Sequence, residues 1–204
     1  MGLASYRKSI SETKRASILA AARENFLTGG YSRAAMADIA RDADVSTATL
    51  YKHFASKDAL FAAIVADAYT ATENSLFTDI DGKSARQVLR DVGDAYATQQ
   101  FDGRMNELLR VVIAEVPTAP HLARHVYENG VLARYEQLIS VLDALVKRGD
   151  LKPHDTAESA RHLAGMVKEF VVWPALFAPR FEKPADLSAK IGACIDAYLK
   201  IYGA

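Results

Sequence analysis

One short run in this chain combines residue types and spacing that could do chemistry on a partner: Thr47, Ala48, Tyr51 and Lys52, within STATLYKHF. If the run is helical, Leu50 and Phe54, four apart, share an inner face, and those four residues are left on the outer one. A small, polar, aromatic and basic set on one outer face suits base edges and phosphates in a groove of DNA. Other chemistries find no such pattern. His53, His121, His125, His154 and His162 lack metal-ligand spacing; His121 and His125 are four apart, but no third ligand accompanies them. There is no glycine-rich phosphate loop followed by lysine, no nucleophile elbow and no paired-carboxylate site, so an enzyme is not expected, nor any cofactor or metal. The single Cys194 excludes an intramolecular disulfide and reads as a buried thiol between Ile191 and Ile195.

Short elements must position that outer face. Met36, Ile39 and Ala40 fall at i, i+3 and i+4 and give a first short helix one apolar stripe. Asp42, Ala43 and Asp44 interrupt it, since aspartate favours turns and tolerates left-handed backbone. Ser46 is a candidate N-cap for the second helix. Ser56 caps again, and Lys57 follows in the first turn of the next helix. A cation there opposes the helix dipole, and a phosphate bound at that end would account for it. Upstream, residues 1–10 read as a basic arm. From Ser11 a stripe of Ile18, Leu19, Ala22, Phe26 and Leu27 marks a helix that Gly29-Gly30 stops. The expected module is three helices around Ile18, Ala22, Phe26, Ile39, Leu50 and Phe54.

Asp38-Ile39-Ala40, Ala43-Asp44-Val45-Ser46, Thr49-Leu50-Tyr51-Lys52-His53-Phe54 and Ser56-Lys57-Asp58-Ala59-Leu60-Phe61, at these fixed offsets, resemble the TetR family of bacterial transcriptional regulators. The resemblance covers roughly the first third of the chain. It implies that Thr47, Ala48 and Tyr51 face base edges, that Thr49, Tyr51, His53, Lys57 and Arg33 bind backbone phosphates, and that Lys52 does either. Two residues depart from the family pattern. Asp44 stands where glycine is common in the turn, and Ala35 where a capping Thr or Ser often contacts phosphate.

Composition fits this reading only when taken by segment. The 204-residue chain has no net charge and is half hydrophobic. Residues 1–57 nevertheless hold nine Lys/Arg against five Asp/Glu, and the rest carries 16 against 20. That is a basic module attached to a mildly acidic body. No apolar run reaches the roughly 20 residues that would cross a bilayer, and MGLASYRKSI lacks a secretory apolar core, so no membrane partner is expected and the cytoplasm is the default location.

The body reads as helices throughout, and the fold class is all-α: a three-helix DNA-binding domain over 1–57, then an antiparallel helical bundle over 58–204, about nine helices in total. Helices are expected over 56–77, 84–101, 104–116, 121–147 (with Gly130 as a bend), 156–177 (with Pro174 disturbing its last turn) and from Leu187 onward. Residues 78–83 read as a loop. A cavity lined by Tyr96, Phe101, Met105, Leu109, Met166, Phe170, Trp173 and Phe177, with Arg110 and Tyr127 as polar groups, would suit a small, largely apolar effector. The competing reading makes these side chains ordinary core. The segment 104–177 is similar to the carboxy-terminal domain of AefR-like members of the family.

The last two helices are apolar over more of their circumference than a peripheral helix needs. The resemblance implies that they pair with a second copy across a two-fold axis, which places Leu163, Val167, Val171, Ile191, Ile195, Tyr198, Leu199 and Tyr202 at the dimer interface. A dimer would present two reading helices to a near-palindromic double-stranded DNA operator, and the effector would release a repressor from it. The reading from a different class is a helical small-molecule-binding protein without a DNA role.

Overall fold

The computed structural model describes residues 3–70, 80–178 and 180–204. Its helices are α1 (Leu3–Gly29), α2 (Met36–Asp42), α3 (Thr47–His53), α4 (Lys57–Thr70), α5 (Ala85–Phe101), α6 (Met105–Glu115), α7 (Pro120–Val126), α8 (Ala133–Arg148), α9 (Thr156–Val171), α10 (Trp173–Phe177) and α11 (Leu187–Tyr202). A π-helical turn, Tyr127–Leu132, joins α7 to α8. Among the described residues, the extended pairing is a single bridge between Leu151 and Gly203. The fold is all-helical.

Boundaries follow local chemistry. Ser84 caps α5 with a full capping box, its hydroxyl accepting from the Gln87 amide and Gln87 reaching back to the Ser84 amide. Asp155 caps α9 by accepting from the amides of Ala157 and Glu158. Three sequence expectations change. The basic arm is helical from Leu3, so α1 begins eight residues before Ser11; no Gly or Pro after Leu3 interrupts its propagation. The helix expected over 121–147 is three consecutive pieces, with buried Gly130 inside the π-helical turn. The helix expected over 156–177 breaks at Val172, because Pro174 lacks an N–H and is tolerated only in the first turn of a new helix. The end of the helix expected over 56–77, the Tyr69 side chain and the start of the loop expected over 78–83 lie outside the described residues.

The chain divides into two compact units: Met1–Asp67 with Arg110–Val126, and Ala68–Leu109 with Tyr127–Ala204. Most of α4 and a distant segment, the end of α6 plus α7, belong to the amino-terminal unit.

The amino-terminal unit is built on Ile18, Ala22, Phe26, Ile39, Leu50, Leu60, Phe61 and Ile64, all fully buried, with Phe54 and Tyr31 nearly so. Phe26, Tyr31 and Phe61 form a closed aromatic trio with ring centroids 5.2 to 5.6 Å apart. Each such pair adds about 0.5–1.5 kcal/mol beyond simple burial. In the other unit, α9 packs against α8 and α11, and α11 packs against α5. Gly93 permits the last approach, since a Cβ there would lie 2.6 Å from Ile191. A buried polar cluster fastens the end of this unit. Tyr198 donates to Ser159 at 2.9 Å, and His154 meets Ser159 at 2.7 Å and the Lys152 carbonyl at 2.7 Å.

Candidate nucleic-acid interface

The turn between α2 and α3 is a Schellman motif. Val45 N–H reaches the Ala40 carbonyl at 3.0 Å and Asp44 N–H the Arg41 carbonyl at 3.1 Å, with Asp44 left-handed at φ 53°. Asp44 thus occupies the backbone position that a glycine would fill without strain. Ser46 then starts α3, its hydroxyl accepting from the Thr49 amide at 3.1 Å. Ala35 holds the N-cap position of α2 and supplies no side-chain cap.

With Leu50 fully buried and Phe54 nearly so, α3 has one possible rotation. Thr47, Ala48, Tyr51 and Lys52 are all exposed on it, Tyr51 by 49%. Among the described residues, the Tyr51 hydroxyl and the Lys52 ammonium have no protein partner. A phenol of this size is left half in water beside a free ammonium, on a helix that the core holds rigid. Lys52 and His53 sit in the last turn of α3, where the helix dipole favours cations. His53 is half-buried, its ring 6.4 Å from that of Phe54.

Other residues expected to touch phosphate are tied into the unit itself. The Lys57 ammonium donates to three carbonyls, Tyr31 at 2.9 Å and Ser32 and Ala34 at 3.2 Å each, and lies 4.6 Å from the Tyr31 ring centre. An ammonium has three donors, and all three are engaged. The unfavourable position of Lys57 in the first turn of α4 is therefore explained by the loop between α1 and α2, and a bound phosphate is not needed to account for it. The Thr49 hydroxyl is 2.8 Å from that of Ser46 and belongs to the cap. Arg33 is exposed and donates its Nε to the Gly29 carbonyl at 2.7 Å, which turns its guanidinium back over the end of α1.

A second lock on the same loop involves residues that pattern reading did not assign. Glu115 is 9% exposed and accepts from the Ser32 amide at 3.0 Å, the Ser32 hydroxyl at 2.5 Å and the Thr118 hydroxyl at 2.6 Å. These donors, Ser32 first, hold its carboxyl below the usual range. Asp58 accepts from the Tyr31 hydroxyl, which lowers its pKa, and lies 3.4 Å from His121. Burial, then the Asp58 bond, pushes the Tyr31 phenol up. Ser32 and Glu115 are 83 positions apart. The signal available in the sequence was a carboxylate closing the apolar stripe of α6.

Comparison with known families agrees with this geometry. Residues 18–64 match the model of bacterial regulatory proteins of the tetR family, and residues 87–204 match that of the AefR-like transcriptional repressor carboxy-terminal domain. The chain belongs to the TetR family. No match is found among curated proteins. Among solved structures, the chain is similar to a TetR-family transcriptional regulator from Mesorhizobium loti MAFF303099, at 28% identity and TM-score 0.83, covering 95% of this chain and 98% of that one. It is also similar to the flavonoid-responsive regulator FrrA (27%, TM-score 0.73, 93% and 97% covered) and to a TetR family regulator from Pseudomonas syringae pv. tomato str. DC3000 (26%, TM-score 0.74, 93% and 96%). This TetR-family chain is a DNA-binding transcriptional regulator, and none of its described helices is long and apolar enough to cross a membrane.

The regulator's other expected site residues stand in several different settings. Tyr96, Phe101, Met166 and Phe170 are partly buried against the carboxy-terminal core, Met105 is 1% exposed and Leu109 is half-buried. Tyr127, Trp173 and Phe177 are exposed by 53%, 53% and 83%, too open to line an interior cavity, and Arg110 belongs to the amino-terminal unit. Of the expected dimer residues, Leu163, Val167, Val171, Ile191, Ile195 and Tyr198 are 0–5% exposed, while Leu199 and Tyr202 are half-buried. The first six form the core of one chain and have almost no surface left for a second, while Leu199 and Tyr202 keep part of theirs. A periodic pattern shows that a helix has an apolar face, but not which body covers it.

Proposed function

We propose that this regulator is a repressor that binds a near-palindromic operator as a dimer and is released by a small, largely apolar effector. The observation that carries the DNA-reading part is the exposed set Thr47, Ala48, Tyr51 and Lys52 on α3, fixed by the Ser46 cap and the Asp44 turn. In this reading α3 enters the major groove. Thr47 and Ala48 offer methyl contacts to base edges, Tyr51 a hydroxyl, and Lys52 and His53 reach phosphate. Lys57, Thr49 and Arg33 position the module from behind.

Dimerisation is proposed through the outward faces of the last long helices. Ala189, Ala193, Ala197 and Ile201 recur every fourth residue on α11, all exposed, with Ile201 at 64%. On α9, a Cβ at Gly165 would meet nothing within 4 Å. Small residues on both helices allow close approach of a second copy, and covering Ile201 supplies apolar burial. Two reading helices then address major grooves about 34 Å apart. The match to an AefR-like repressor domain supports repression, and a flavonoid-responsive neighbour supports small-molecule control within this fold. The proposed effector space is bounded by Tyr96, Phe101, Met105, Leu109, Met166 and Phe170.

Fluorescence anisotropy with a labelled fragment of the chain's own promoter region, over a range of salt concentrations, tests the reading. Affinity should fall steeply with salt, and Lys52→Ala should flatten the slope by about one per contact, hence about two per dimer. Tyr51→Ala should weaken binding about tenfold with the slope retained. Weak, salt-insensitive binding by the unmodified protein would overturn it in favour of a helical small-molecule binder.

A further inference from the structure

The carboxy-terminal unit contains buried polar atoms that have no partner among the described residues. Gln99, Gln100 and Asn106, at the end of α5 and the start of α6, are 3%, 4% and 6% exposed. Gln99 donates its Nε2 to the Ala68 carbonyl at 3.2 Å, and Asn106 donates its Nδ2 to the Val171 carbonyl at 3.0 Å. The second bond fixes the Asn106 amide, since a flip would set its oxygen against another carbonyl oxygen. Asn106 Oδ1 and Gln100 Oε1 are then buried without any hydrogen-bond donor among the described residues.

Buried polar atoms are nearly always paired, and an unpaired acceptor carries the whole desolvation penalty of its group. At Gln100 an apolar residue of the same size would remove an unpaired acceptor, and both oxygens are open to a donor that the described residues do not supply. Their placement is also tightly set. A Cβ at Gly103 would lie 2.5 Å from the Gln99 carbonyl oxygen, and Arg104 holds a left-handed φ of 54°, so the connection between α5 and α6 is a constrained turn. The surroundings are aromatic and apolar: Phe101 lies 5.9 Å from Phe181, and Met105 is buried beside Asn106.

We propose that Gln100 and Asn106 form the polar end of the effector site, and that the effector is a neutral aromatic alcohol of the phenol class. This rests on the regulator reading above and adds the chemistry of the ligand. The Asn106 oxygen, fixed by the bond of its amide to Val171, accepts and does not donate, so it selects a hydroxyl group over an ether or a carboxylate. The aromatic neighbours take the ring. A hydroxyl on Asn106 Oδ1 would join the ligand, through the same amide, to the end of α9 at Val171. Asn106 lies on α6, the helix whose last residue, Glu115, holds Ser32, so a ligand that shifts α6 acts on the lock behind the reading module.

Calorimetric titration of the full chain with 2-naphthol and with 2-methoxynaphthalene tests this, because the two share a ring system and differ in the donor. The naphthol should bind about five to ten times more tightly, and Gln100→Met and Asn106→Leu should each reduce that preference. Gln100→Met should also leave the melting temperature of the free protein unchanged or raise it, since it removes an unpaired acceptor at nearly constant volume. Equal affinity for both probes, no binding of either, or a clearly lowered melting temperature for Gln100→Met would overturn the proposal. Operator binding by the same preparations separates this failure from failure of the regulator reading itself.

Discussion

Replacing Lys57 with methionine separates the two roles open to this residue, phosphate contact and internal anchor. The structure gives its ammonium three carbonyl partners, at 2.9, 3.2 and 3.2 Å, and the face of Tyr31. Hydrogen bonds to a charged group contribute about 1.5–3 kcal/mol each when buried. Here the side chain is partly exposed and the freed carbonyls can regain water. Removing a cation from the first turn of α4 also returns roughly 0.3–1 kcal/mol of helix-dipole energy. The net loss is therefore about 2 kcal/mol, which for a chain of this size lowers the melting temperature by roughly 4–8 °C. The readouts are thermal unfolding followed by circular dichroism, and operator binding as a function of salt. Lys57→Met should be destabilised and should bind DNA more weakly, with the slope of log affinity against log salt unchanged. A variant with unaltered melting and a slope flattened by about two per dimer would refute the reasoning and return Lys57 to the phosphate contacts.

Asp44→Gly removes both a left-handed non-glycine residue and a negative charge close to the proposed DNA face. Operator affinity should rise about two- to fivefold, with stability equal or slightly higher, as measured by anisotropy and denaturant titration. Glu115 has its pKa depressed below 4.5 by Ser32 and Thr118, so its contribution to stability is complete above that value and is lost as the pH falls through the lower, folded pKa. Glu115→Gln should therefore lower stability at neutral pH and flatten the loss of stability below about pH 5 in urea titrations across pH. Ala197→Glu, on the exposed stripe of α11, should shift the protein from dimer to monomer in sedimentation experiments while leaving its helical content intact. A dimer of unchanged affinity would exclude this face as the interface.

Much of the reading module was legible because its determinants are local. The cap at Ser46, the turn at Asp44 and the inward pair Leu50 and Phe54 all act within one or two helical turns, so spacing alone fixes which face of α3 is left outward. The core residues Ile18, Ala22, Phe26 and Ile39 follow from the same periodicity. The sequence by itself thus determined the all-helical class, the helix-turn-helix and the residues it exposes.

Tertiary structure decided what each remaining face meets, which periodicity does not encode. Leu163, Ile191 and Tyr198 carry the same apolar pattern whether a neighbouring helix or a second copy covers them, and the fold assigns them to the interior of one chain. Trp173 and Phe177 read as lining, and the fold leaves both exposed. Lys57 and Glu115 could not be placed from the sequence, because their partners on the loop after α1 lie 23 to 26 and 83 positions away. A charged side chain takes its role from the donors and acceptors that folding brings within 3 Å, and at those separations only the packed chain specifies them.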